Sequence, residues 1–195
     1  MGKFSKRISD TNIRIGEVRF SFCHLFSPRK NEDGSDGKYS CQLLIPKSDT
    51  ETVKMINDAI EAAKKAGITT KWNGRLPAAS KLYIPLRDGD EENPDDDTYR
   101  DMWFMNANTG LTRKPGLRVL EDGQLNEALD EDDIYSGMWG CATVAFYPYN
   151  NSGNMGVGCA LNNVVRTKHG EKLAGGRSAE QDFDDLVSAA GSCLD

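Results

Sequence analysis

The chain has 195 residues, 28% charged and 38% hydrophobic, with a formal net charge of −6. That length allows one domain with a buried core, or one domain and a tail. No window approaches about 18 uninterrupted apolar residues, and no apolar run follows the basic start Met1–Arg7, so neither a membrane helix nor a secretory signal is expected.

Cys23, Cys41, Cys141, Cys159 and Cys193 form no CxxC pair, and four lie in apolar, strand-like segments. Buried, reduced thiols in a cytoplasmic protein are expected, not a disulfide frame or a zinc site. With only His24 and His169 as histidines, no metal or other cofactor is expected.

Asn12 to Phe26 reads as a long first strand. By period two, Val18, Phe20, Phe22, His24 and Phe26 share one face and Ile13, Ile15 and Arg19 the other. Both faces are partly apolar, as in a strand bending around a small barrel. A polar loop over 28–37 separates it from a second strand over 39–45. Ser48 and Glu51 then form a capping box, and Val53, Ile56, Ile60 and Ala63 repeat at helical spacing up to a stop at Gly67.

Residues 81–86, 102–107 and 116–120 read as further strands. A long hairpin follows, 137–149 and 155–165, around the turn Asn150–Asn154. Its first arm sets Trp139, Cys141, Thr143, Ala145, Tyr147 and Tyr149 on one face, opposite Met138, Ala142, Val144 and Phe146. The sum is a mainly β chain, an OB-fold-type barrel with one inserted amphipathic helix and long polar loops. We assign residues 1–175 to this domain and 176–195 to a disordered acidic tail.

Charge is segregated along the chain. Asp88–Asp101 holds eight acids and one base, Glu121–Asp133 seven acids and Glu180–Asp195 five. Outside these segments 23 bases face 10 acids, which gives a basic body with acidic loops and an acidic tail. Aromatic residues interleave with those bases, the composition that grips single-stranded nucleic acid by stacking and phosphate contact. On chemistry alone the candidates are Trp139, Tyr147, Tyr149 and Phe20 for bases, and Arg113, Lys114, Arg118, Arg19, Lys81 and Arg87 for phosphates. Any of the aromatics also suits a barrel core.

Two other readings fit. Asp88, Asp90 and Glu91 could offer carboxylates to a divalent metal in a nuclease, although EF-hand spacing is absent. Alternatively, the acidic loops could make this an adaptor that binds no DNA. Neither a Gly-x-Ser-x-Gly elbow nor a phosphate-binding GxxxxGK[ST] loop is present.

Four motifs, Tyr83–Asp90, Tyr135–Gly140, Phe146–Asn150 and Gly158–Asn163, occur in an order that resembles a phage family of single-stranded-DNA-binding proteins, once filed as a domain of unknown function. The likeness runs from Gly16 to about Phe183 and extends to the T-odd phage replication proteins. It implies an OB-fold, single-stranded DNA as partner in replication or recombination, no catalysis, and a place in the host cytoplasm. It also implies possible homodimers and an acidic tail that recruits replication or recombination proteins, with Phe183, Asp184 and Asp185 as the contact. The tail departs from the terminal-aromatic pattern, because Phe183 lies twelve residues before Asp195.

Overall fold

The computed structural model describes residues 4–173. In chain order the strands are β1 (Lys6–Arg7), β2 (Asn12–His24), β3 (Tyr39–Pro46), β4 (Leu82–Tyr83), β5 (Arg87–Asp88), β6 (Met102–Thr109), β7 (Gly116–Glu121), β8 (Gln124–Glu127), β9 (Trp139–Asn151) and β10 (Asn154–Lys168). Helix α1 (Thr50–Thr70) lies between β3 and β4, and the single turn α2 (Gly89–Glu92) follows β5.

The two apolar faces read for β2 are one in the structure: its pairing with β9 shifts between Ile15 and Val18, so both sets turn inward, and the sheet closes. Strands β6, β3, β2, β9 and β10 pair in that order, and β10 meets β6 again in parallel at Ala160 and Asn108. The expected mainly β, OB-type barrel is therefore the observed one. Ile13, Ile15, Val18 and Phe20 from β2 point inward with Leu43 and Ile45, Met105 and Ala107, Ala142, Val144 and Phe146, and Val157 and Leu161. The face division expected for β9 holds, with Met138, Ala142, Val144 and Phe146 in this core.

Helix α1 packs Ile56, Ala59, Ile60 and Ala63 into the same cluster. Two details of this helix differ from the sequence reading. Asp49, not Ser48, is the N-cap, accepting from the Thr52 amide at 3.1 Å. Gly67 does not end the helix, which runs on to Thr70. It is instead a contact point: a Cβ there would lie 2.6 Å from the Trp72 ring and 2.8 Å from Pro148.

Strands β1, β4, β5 and β8, two to four residues each, extend the barrel at its edges and are too short for periodicity to reveal fully. Cys23, Cys41, Cys141 and Cys159 are free thiols, and burial pushes Cys159 and Cys23 up to about 12 and Cys141 to about 11. They are protonated core side chains at neutral pH. The predicted tail, 176–195, lies outside the described residues, as do Phe183, Asp184, Asp185 and Cys193.

Alanine favours a helix interior over glycine by about 1 kcal/mol. Gly67→Ala should nevertheless lower stability by about 1–3 kcal/mol, because the methyl overpacks the Trp72 contact. Thermal melting measures this, and a raised Tm would show that α1 is free to shift.

Candidate nucleic-acid interface

The outer surface of the barrel is organised in rows that cross the strands. Across β2, β3 and β6 the register aligns Arg19, Leu44 and Phe104, then Ser21, Gln42 and Asn106. His24, Ser40 and Asn108 make a third row, which continues through Ala160 on β10 to Ala145 on β9.

The pairing of β2 with β3 slips between Ser21 and His24, and Phe22 takes a left-handed φ of 47°. That bulge breaks the period-two pattern. Phe20 stays in the core with no exposed surface, while Phe22 turns out and is 62% exposed. Phe20 is thereby corrected from a stacking candidate to a core residue, and Phe22, assigned by alternation to the same face, is the accessible ring.

The loop over 25–38 rises above Phe22 and encloses a cleft of 1320 Å³. Phe22, His24, Ser40, Gln42, Asn106 and Asn108 line its floor, and Arg29, Lys30 and Lys38 its wall. Glu32 also lines the cleft, while the other two acids of this loop are engaged locally. Asp36 pairs with Lys30 at 2.5 Å, and Asp33 accepts from the Ser35 amide and hydroxyl. Among the described residues, no carboxylate lies within ion-pair distance of Arg29 or Lys38. Tyr99 donates to Gln42 Oε1 at 2.6 Å, and Gln42 donates to Asn106 Oδ1 at 3.2 Å, fixing the polar floor.

Arg113 and Lys114 sit in the exposed loop after β6, with Lys114 Nζ 5.3 Å from the centre of the Phe26 ring. The sequence candidates Arg113 and Lys114 thus share a rim with the 25–38 loop.

Tyr147 and Tyr149 stand on the other flank, over β10. A Cβ at Gly158 would strike the Tyr147 ring at 2.5 Å, and one at Gly156 would meet both Tyr83 and the Tyr149 hydroxyl. Glycine is required at both positions for these rings to lie close to the strand. Desolvation, then the neighbouring Tyr83 and Tyr147, raises the Tyr149 hydroxyl above its usual value. Tyr147 and Tyr83 are each 41% exposed, and Lys81 is exposed just before β4.

Arg19, Arg87 and Trp139 lie together at the opposite end of the same face. Trp139 is the cross-strand neighbour of Arg19, and the Arg87 guanidinium stacks 4.3 Å from the Phe104 ring centre. The segment His169–Leu173 lies across this row. Gly170 approaches Trp139, the Glu171 carbonyl accepts from Arg19 at 3.2 Å, and Leu173 packs on Leu44, Tyr99 and Phe104. The Nε atoms of Arg19 and Arg87 are buried without a partner. Arg118 stands apart on β7, with its side chain donating to the Leu117 carbonyl at 2.8 Å.

The acidic stretch considered for metal chemistry is already neutralised in part. Lys47 Nζ donates to Asp88 at 2.5 Å and to Asp90 at 2.7 Å, and Asp90 also accepts from the Asp101 amide. The hydrogen bonds from Lys47 hold both carboxyls below their ordinary value of 3.8. Their contribution to stability is therefore present above that value and lost as pH falls through the lowered one. Lys47→Met should melt earlier at neutral pH and lose less on acidification below about pH 4 than the parent chain. Parallel melting curves against pH would contradict this linkage.

The family model for the Enterobacter phage Enc34 ssDNA-binding protein matches residues 11–192. Protein p50 of Acyrthosiphon pisum secondary endosymbiont phage 1 is 30% identical over 187 residues, covering 91% of this chain and 95% of that protein. Among solved structures, the single-stranded DNA-binding protein of bacteriophage Enc34 in complex with ssDNA superposes with a TM-score of 0.71 at 27% identity. That match covers 88% of this chain and 97% of the other. Bacteriophage T7 gp2.5, a single-stranded DNA-binding protein, superposes with a TM-score of 0.55 at 17% identity over 91% of this chain and 94% of its own, a likeness of fold.

Proposed function

Since the chain belongs to the Enterobacter phage Enc34 ssDNA-binding protein family, we propose that it binds single-stranded DNA, with little sequence preference and without catalysis, in phage replication or recombination. One observation carries the reading: exposed aromatic rings stand at both ends of a continuous polar face bordered by cations. A strand entering at Phe22 crosses Ser40, Asn106 and Asn108, then the small residues Ala160 and Gly158, and reaches Tyr147. From β3 to β9 this is three strand spacings, roughly 14 Å along the sheet.

Rings stack on bases of any identity, and cations follow the phosphates, so the arrangement favours tolerance over base-edge readout. Arg29, Lys38, Arg113 and Lys114 are the phosphate contacts of the first half. Tyr147, Tyr149 and Tyr83, with Lys81 beside them, serve the second.

Leu173 rests at the Leu44–Phe104 end of this face, and five acids follow in the sequence from Glu180 onward. This supports a tail that competes with DNA at low salt and, once released, offers Phe183, Asp184 and Asp185 to a replication or recombination protein. Homodimers and a cytoplasmic location in the host belong to the same reading. No helix among the described residues is long and apolar enough to cross a membrane.

Against the nuclease alternative stands Lys47, which already donates to one oxygen of Asp88 and one of Asp90.

Titration of labelled oligothymidylate should raise its fluorescence anisotropy, with affinity falling steeply as salt rises. Phe22→Ala and Tyr147→Ala should each weaken binding by about 1–3 kcal/mol at an unchanged Tm. Phe20→Ala should instead cost roughly 3–5 kcal/mol of stability. Binding to duplex DNA as tight as to the single strand would overturn the proposal.

A further inference from the structure

On the side of Ala145 and Ala160 away from the tyrosines, the outer face continues to β1. The register draws a second row across five strands: Lys6 on β1, Arg14 on β2, Thr143 on β9, Asn163 on β10 and Gly116 on β7. Ile13 and Ile15 on either side of Arg14 are fully buried, so Arg14 points out, and it is exposed together with Lys6 and Asn163.

The polar members of this row are held in place. Asn163 Nδ2 donates to Thr143 Oγ1 at 3.1 Å, and a Cβ at Gly116 would strike Asn163 Oδ1 at 2.5 Å. Arg14 Nε donates to the Phe4 carbonyl at 2.7 Å, which anchors the guanidinium. Among the described residues, no carboxylate lies within ion-pair distance of Lys6 or Arg14. The nearby acids are used elsewhere: Asp58 pairs with Arg7 and Lys54, and Glu17 accepts from the Thr167 hydroxyl at 2.6 Å.

Tyr147 and Thr143 lie four residues apart on one face of β9, about 13 Å. Between them the adjoining row, Asn12, Ala145 and Ala160, carries short side chains and no acid. A chain of phosphates at this low crossing therefore has the tyrosines on one side and, past Thr143 and Asn163, two unpaired cations on the other.

We infer that the row Lys6–Arg14–Thr143–Asn163 is a second binding segment for single-stranded DNA, on the side of the Ala160–Ala145 crossing opposite the tyrosines. Lys6 and Arg14 supply charge, and Thr143 with Asn163 supplies neutral hydrogen bonds. The inference rests on the ssDNA-binding reading and adds to it a longer site with two separable halves. A short oligomer fills the first half, and only a longer one reaches Lys6 and Arg14.

The test uses the full chain and labelled oligothymidylates of about 5 and about 15 nucleotides, within the span of OB-fold sites. Anisotropy titrations are run at several salt concentrations. The parent chain should bind the longer oligomer more tightly and with a steeper salt dependence. The double variant Lys6→Ala, Arg14→Ala should lose roughly tenfold on the longer oligomer, its salt slope shallower by about 1.4 for two lost phosphate contacts. Binding of the short oligomer should be unchanged.

The charge-keeping variant Lys6→Arg, Arg14→Lys should restore the slope, which separates charge from any loss of packing. Unchanged binding of the longer oligomer by the alanine variant would overturn the inference, as would equal losses on both lengths. Absence of binding by the parent chain to either oligomer would instead defeat the ssDNA-binding reading itself.

Discussion

Ala160 faces Ala145 on one side of β10 and Asn108 on the other, and that second, parallel contact turns a sheet into a barrel. The edge of β10 opposite β9 takes three partners in succession: β4 at Met155 and Gly156, β6 at Ala160, and β7 from Asn163 onward. A register shift between Leu161 and Asn163 lets the strand change partner without losing its pairing with β9. Closure fixes which residues face out side by side. Without it, Asn106 and Asn108 on β6 and Ala160 on β10 would lie toward opposite sides of an open sheet.

Net charge is a poor guide to this surface, because charge is unevenly distributed and several of the acids are tied into local ion pairs. Asp88 and Asp90 share Lys47, and Asp132 pairs with Lys172 at 2.8 Å. Glu121 binds Arg166, a guanidinium with 3% of its surface exposed that also donates to the Asp133 carbonyl and meets His169. A buried guanidinium is tolerated only when its donors are met in this way. The acids thus serve as local structure while Arg29, Lys38, Arg113 and Lys114 remain available to phosphates. Electrostatic attraction works at the scale of a face, so a chain of net charge −6 can present a basic groove.

The parts of this architecture that follow regular periods were legible in the sequence. The apolar stripe of α1, the division of β9 into a core face and a tyrosine face, and the Asn-rich hairpin turn all appear where their patterns put them. What alternation could not reveal is the bulge at Phe22, since one left-handed residue reverses every later assignment along β2. Phe20 lies before the bulge, and the chemistry that makes it a stacking candidate does not separate a core ring from an exposed one. The polar floor was missed because Gln42, Asn106 and Asn108 gain meaning only once β3 and β6 are neighbours. The crossing of His169–Leu173 over Arg19 and Trp139 depends on long-range contacts that no local signal encodes.

The central claim is that one outer face, from Phe22 to Tyr147, is the DNA path. Backbone amide chemical shifts, followed as oligothymidylate is added to the full chain, test it directly. The account predicts shifts at Phe22, His24, Ser40, Asn106, Asn108, Ala160 and Tyr147, with the exposed side of α1 and the β7–β8 hairpin tip unmoved. Shifts centred on α1 or that hairpin, with this face silent, would contradict it.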